Sequence, residues 1–223
     1  MQPGQATWDE VSNLFTAVGG RPFAFGSSDD LKRYDFYIHS AESDLQPVVF
    51  ATWERDGVIR GFEVGISPLH MDGGSPFPGI TSAFQQYSLQ GLLASLGDPT
   101  AVLIDARPIP AEEAAPMIYG MWLHWEEAGI AAYYEGEGVV PRGEELSLCP
   151  DYSKLVSSRL YLWSVEEGLT LAEMTSATAD IPAQIAAGRL RPIQDAAQIQ
   201  PSEFARRFAD APDGTCVDIE APP

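Results

Sequence analysis

A doubled local pattern limits what this chain can fold into. Its cleaner copy lies at residues 87–107. Ser88 offers a hydroxyl to the free N–H groups of a first helical turn. Leu89, Leu92, Leu93 and Leu96 follow at helical spacing, so one face is apolar and must be covered. Gly97 suits the left-handed residue that ends a helix, and Pro99 blocks its continuation. Residues 101–104 are a short apolar run that reads as a buried strand.

The other copy begins at Thr7. Thr7 and Glu10 have capping-box spacing, and Val11, Leu14, Phe15 and Val18 fall on one predicted face. Gly19 closes this helix and Pro22 follows. Setting Gly19 on Gly97 brings the two apolar quartets into register. The echo continues downstream, where Trp53-Glu54-Arg55-Asp56-Gly57-Val58 matches Trp125-Glu126-Glu127-Ala128-Gly129-Ile130. Each reads as a strand entering at Trp, turning at Gly and leaving as a second strand, and Asp56-Gly57 is a type I′ signal.

The predicted fold is therefore α+β: two related units, each a short helix packed on an antiparallel β-meander, plus a C-terminal wrapping segment. The expected boundaries are 6–67 for the first unit, 68–83 for a Gly/Pro linker, 84–165 for the second unit and 166–223 for the wrap. Between the motifs, residues 31–40 read as a strand with Tyr34, Phe36 and Ile38 on one face. Residues 117–125 and 129–134 form the strongest predicted hairpin, and residues 135–148 read as a Gly- and acid-rich loop. Residues 149–158 read as irregular and 159–164 as a strand. Residues 169–174 and 181–190 suggest short helical turns. Ser202 is the expected cap of a last helix carrying Phe204 and Phe208.

A chain of 223 residues with 45% hydrophobic content has material for a real core. Its formal charge of −19 sets 13 Lys and Arg against 32 Asp and Glu, which disfavours nucleic acid and anionic membrane surfaces as partners. The acids are scattered, as expected of a solubilising surface; attraction to a basic partner is the alternative. No run approaches the ~20 apolar residues of a membrane helix, and the first residues have no signal-peptide character. That start suits either a cytoplasmic protein or one whose signal or lipid anchor was removed.

Chemistry-bearing motifs are few. His39, His70 and His124 lack ligand spacing, so no metal site and no cofactor is expected. The acid pairs Glu112-Glu113, Glu126-Glu127, Glu144-Glu145 and Glu166-Glu167 read as solvated turns rather than as a hydrolase's paired carboxylates, and Asp72-Gly73-Gly74-Ser75 lacks calcium-loop spacing. No nucleophile elbow, phosphate loop, dinucleotide fingerprint or zinc-protease motif occurs. No catalytic residue is expected. Cys149 and Cys216 sit in loop-like surroundings and read as one disulfide; two separate buried thiols are the alternative. Trp53, Trp122, Trp125 and Tyr134 are the candidate protein-binding residues, because a hairpin with aromatics on both faces has one face to offer a partner. Coverage of that face by the rest of the chain is the competing reading.

Residues 92–102, 119–134, Cys149-Pro150, 160–164 and 204–216 together resemble a group of uncharacterised exported proteins and lipoproteins of Chloroflexota-type bacteria. More weakly, the tandem helix-plus-sheet plan is similar to the β-lactamase-inhibitor-protein architecture and to small outer-membrane assembly lipoproteins, which present sheet faces to protein partners. The first resemblance implies an envelope or surface location with the cysteines paired. The expected function is an extracytoplasmic, non-catalytic protein-binding or structural component of a bacterial envelope or surface assembly. The partner is a protein, with no nucleic acid and no direct membrane insertion. The alternatives are a cytoplasmic acidic inhibitor or immunity-type protein masking a basic enzyme, and a carboxylate-based hydrolase.

Overall fold

A computed structural model describes residues 1–18, 20–27, 30–38, 48–66, 85–108, 117–142, 145–150, 155–176, 180–210 and 215–221. In chain order the elements are α1 (Trp8–Ala17), β1 (Arg21–Ser27), β2 (Lys32–Ile38), β3 (Val48–Arg55), β4 (Val58–Ile66), α2 (Leu89–Leu96), β5 (Ala101–Pro108), β6 (Met117–Trp125) and β7 (Ile130–Arg142). There follow β8 (Glu145–Leu148), β9 (Leu155–Trp163), α3 (Leu171–Thr175), α4 (Ile181–Ala186), β10 (Arg191–Pro192), α5 (Ile193–Ala197), α6 (Pro201–Phe208) and β11 (Val217–Glu220). The fold is α+β with antiparallel pairing, as predicted. Two compact units emerge: Met1–Ser67, Glu126–Ala131 and Arg159–Asp180 make the first, and Pro68–Trp125, Ala132–Ser158 and Ile181–Pro223 the second. Each is assembled from separate stretches of chain, whereas the expected boundaries were sequential.

The first unit runs β1-β2-β3-β4 and then the end of β9. Its helix starts where predicted. The Glu10 N–H donates to Thr7 Oγ1 at 3.3 Å and the Thr7 N–H donates to Glu10 Oε2 at 2.9 Å, so the capping box is closed. Val11 and Phe15 are buried, and the Phe15 ring stacks on Phe36 with centroids 4.4 Å apart. Ala6, Ile59, Trp8, Tyr34, Phe50 and Phe62 complete this core. The predicted four-residue face is corrected: Leu14 and Val18 are about half exposed, at 48% and 55%. They form the neighbouring i,i+4 row, and only the Val11–Phe15 row meets the core. The β3–β4 turn has positive φ at both Asp56 (56°) and Gly57 (77°), as its sequence requires. Strand β1 was not anticipated, because Pro22 and Gly26 look like breakers. It ends the strand order, where a proline's missing N–H disturbs no ladder.

In the second unit the described order is β7-β6-β5-β10, with β8 pairing both β7 and β11. Helix α2 is capped as predicted, its Gly91 N–H donating to Ser88 Oγ at 3.1 Å. Leu89, Leu92 and Leu93 are buried, and Gly97 ends the helix at φ 73°. Residues 135–148 correct the predicted loop: β7 continues through Gly136 and Gly138 to Arg142, and β8 pairs back onto it. The alternation of acid and glycine over Glu135-Gly136-Glu137-Gly138 is a period-two strand signal that the glycines concealed. Strand β9 likewise starts earlier than predicted, at Leu155. Ser202 is not the last helix's cap; Gln200 holds that position with Pro201 inside the first turn, and the buried Phe204 and Phe208 rings lie 4.5 Å apart.

Cys149 and Cys216 are bonded, with their Cα atoms 4.1 Å apart. Closing a loop of 67 residues contributes about 4 kcal/mol in the chain-entropy account. The bond sits beside a short strand. Burying Val217 and Ile219 contributes about 1.5–3 kcal/mol each. Ordering the strand's four residues costs about 1–2 kcal/mol each, so these two contributions nearly cancel. Among the described residues no helix is long and apolar enough to cross a membrane. The predicted linker, Gly19, His39, His70, Glu112-Glu113, Glu144 and the Asp72-Gly73-Gly74-Ser75 motif lie outside the described residues.

Candidate functional site

Strand register assembles the densest group of charged side chains in the first unit. Arg33 on β2 lies opposite Trp53 on β3, and Trp53 lies opposite Gly61 on β4. Two residues along, Asp35 lies opposite Ala51, and Ala51 opposite Glu63. Because side chains alternate, these residues share one face, while Tyr34, Phe36, Phe50 and Phe62 join the core that holds α1. Strand β9 brings Arg159 and Tyr161 beside Glu63.

The geometry is that of a buried ionic network. Arg33 Nε donates to Asp35 Oδ1 at 2.7 Å, and Nη2 donates to Oδ2 at 3.3 Å. Arg33 Nη2 also lies 3.6 Å from Glu63 Oε2. On the other side of Glu63, Arg159 Nη1 donates to Oε1 at 3.4 Å. The Arg33 guanidinium sits 5.1 Å from the Trp53 ring centroid, within cation–π range. Arg33, Asp35, Glu63 and Tyr161 are all buried, and Arg159 alone keeps a substantial exposed fraction. Two cations meet two anions, so the group is formally neutral.

Burial is the largest influence on Glu63 and pushes its carboxyl pKa up; Arg159 and Arg33 oppose that rise, and Asp35 adds to it. Burial, followed by the Glu63 charge, also raises the Tyr161 phenol. Around the network the cover is apolar. A Cβ placed on Gly61 would meet Leu169 Cδ2 and Met174 Cε, both at 2.9 Å. The arrangement suits holding β2, β4 and β9 in one register. Asp35 and Glu63 are both buried against guanidinium groups.

The expectation that the binding aromatics face outward is corrected. Trp53, Trp122, Trp125 and Tyr134 are exposed by only 2%, 4%, 4% and 3%. Each is occupied internally. Trp53 carries Arg33. Trp125 Nε1 donates to the Gly97 carbonyl at 3.1 Å, and the Tyr134 hydroxyl donates to the Tyr87 carbonyl at 2.6 Å. Trp122 packs on Tyr133 with centroids 4.7 Å apart. Rings that anchor α2's flanks to β6 and β7 are not available to a partner. His124 is held neutral, its pKa lowered to about 4 by burial. A shallow notch in the second unit is lined by Leu89, Gln90, Tyr119, Met121, Tyr134, Pro150 and Leu155, without a charged group. Among the described residues no cluster of three His, Cys, Asp or Glu could hold a metal ion.

Sequence reading missed Arg33, Asp35, Glu63 and Arg159. The available signal was the opposite phase of β2, in which charged Arg33 and Asp35 alternate with Tyr34 and Phe36. Comparison with protein-family models, curated proteins and solved structures finds no match to this chain.

Proposed function

We propose that this protein is an extracytoplasmic, non-catalytic binding or structural component of a bacterial envelope or surface assembly, in keeping with the exported proteins and lipoproteins its motifs resemble. The observation that carries this reading is the Cys149–Cys216 disulfide, since such bonds persist in oxidising compartments. The exposed apolar side chains of Leu14 on α1 and Val18 at its C-cap, one i,i+4 row, support a protein-facing surface in the first unit. Both cysteines being bonded counts against the cytoplasmic inhibitor reading.

Two measurements test the proposal. Free thiols are alkylated at the moment of lysis in cells making the protein, and intact mass is taken with and without reductant alongside cell fractionation. Cysteines that resist alkylation until reduced, in a chain recovered outside the cytoplasm, support it. Labelled thiols in a cytoplasmic fraction overturn it. A photo-crosslinker at position 14 then captures the partner, and Val18→Asp should abolish the adduct.

Asp35 and Glu63 give the hydrolase reading its one specific observation, two carboxylates in one network with one of them raised. Hydrolysis of a broad ester and glycoside panel that is lost in Glu63→Gln, with folding retained, would move the assignment to that class.

A further inference from the structure

We infer that Asp56-Gly57 is a latent modification site, where the backbone can rearrange through the aspartate side chain to isoaspartate, and that Glu54 keeps it closed. The inference concerns the first unit alone and does not depend on the location proposed above.

The turn holds every reactant. A side-chain carboxyl stands one residue before a backbone nitrogen, and that nitrogen belongs to glycine, whose missing Cβ leaves the approach unhindered. With the Asp56 carboxyl protonated, the Gly57 nitrogen attacks Asp56 Cγ. The N–Cγ bond forms, the bond from Cγ to the hydroxyl breaks, and the hydroxyl leaves with the nitrogen's proton as water. The product is a succinimide ring, which water then opens. Attack at Cγ restores aspartate, and attack at the Asp56 backbone carbonyl carbon gives isoaspartate, with the chain running through Cγ. The water lost is regained, so mass is unchanged and no other reactant is consumed. Asp56 and Gly57 are exposed, and a Cβ on Gly57 would meet nothing within 4 Å, so both water and space are available.

Ring closure requires the Gly57 nitrogen to turn about the Asp56 Cα–C bond until it meets the side-chain carboxyl. Hydrogen bonds on both sides of Gly57 oppose that turn. Its N–H donates to Glu54 Oε1 at 2.6 Å, and its carbonyl accepts from the Trp8 N–H at 3.0 Å. Glu54 is itself fixed, since it is only 4% exposed and Lys32 Nζ lies 3.2 Å from its other oxygen. Two carboxyl groups thus stand within reach of one nitrogen, and the one that cannot form the five-membered ring holds it. A charge-assisted hydrogen bond of this kind must break before the ring can form. Rearrangement would reach beyond the turn. It adds a methylene to the backbone beside the Arg55↔Val58 pair and the Thr7↔Val58 bridge, where the start of α1 is seated.

The test follows isoaspartate at position 56 in protein aged at neutral pH, by enzymatic methylation of isoaspartyl carboxyls and by electron-transfer fragmentation of the peptide. The folded protein should accumulate it roughly ten-fold more slowly, or slower still, than the chain unfolded in guanidinium chloride. Glu54→Ala should raise the folded rate by about ten-fold, the factor expected for one lost hydrogen bond to a charged group. Glu54→Gln keeps an acceptor and should fall between the two. Val11→Ala, at a buried position of α1, loosens the same unit without touching Glu54 and so separates this guard from general unfolding. Equal rates in the folded and unfolded chain would overturn the proposal. So would a rate in Glu54→Ala that is unchanged or slower, the latter meaning that the carboxylate acts as a base. Acceleration by Val11→Ala as large as that by Glu54→Ala would overturn it as well.

Discussion

Arg33 is the residue whose loss the first unit would feel most. It neutralises Asp35 through two hydrogen bonds and faces Glu63, so Arg33→Leu leaves two buried carboxylates short of a partner. Chemical denaturation should show a loss of about 3–5 kcal/mol. Arg159→Leu should cost clearly less, because its side chain is 37% exposed and water replaces part of what it gives Glu63. Equal costs would mean that burial is not what sets the value of these pairs. His124 gives a pH signature. Its folded pKa of about 4 lies below the ordinary 6.5, so the unfolded chain takes up a proton that the folded one refuses. Its contribution is complete above about pH 6.5 and is lost as pH falls towards 4, by up to about 3 kcal/mol. Glu63, with a raised pKa, acts in the opposite direction: its share is present below the ordinary value of 4.5 and is lost as pH rises through its folded pKa. Unfolding midpoints between pH 7 and 4 should therefore fall less steeply in His124→Gln than in the unaltered protein.

At the scale of elements, the two hairpin glycines separate what the turn needs from what its surroundings impose. Gly57 and Gly129 occupy matching sequence positions, and both have positive φ, at 77° and 63°. A Cβ on Gly57 meets nothing within 4 Å, whereas one on Gly129 would lie 2.2 Å from the Trp163 carbonyl oxygen. Gly57→Ala should cost about 1–2 kcal/mol of backbone strain. Gly129→Ala must also displace β9, whose Trp163 N–H donates to the Gly129 carbonyl at 2.8 Å. Thermal melts should show a much larger drop in Tm for Gly129→Ala. Thr7→Ala opens a helix cap and should cost about 1 kcal/mol, measurable by the same melts. The Thr7–Glu10 capping box, the Ser88 cap, the Gly97 stop and the hairpin turn were legible because each depends on a few adjacent residues. Strands β1 and β8 were not, because their glycines, prolines and acids argue against strand locally, and only pairing partners distant in sequence overrule that.

Across the whole molecule, the disulfide is the largest single constraint on the unfolded chain. Its reduction should lower the free energy of unfolding by about 4 kcal/mol, read as a shift of the urea midpoint at constant slope. A shift much below that would mean the unfolded chain keeps those ends close without the bond.

What the sequence determined by itself was everything carried by short-range periodicity and special backbone angles: the capped helices α1 and α2, the Gly97 stop of α2, the I′ turn at Asp56-Gly57 and the α+β class. The tertiary structure decided which faces are covered. It turned Leu14 and Val18 outward and enclosed Trp53, Trp122, Trp125 and Tyr134. It also took Arg33, Asp35 and Glu63, whose alternation reads as a solvated strand face, and buried them as an ionic network with Arg159. The physical reason is that burial depends on what lies across the sheet. Periodicity within one strand marks its two faces, but the register of neighbouring strands and the segments packed over them determine which face meets water.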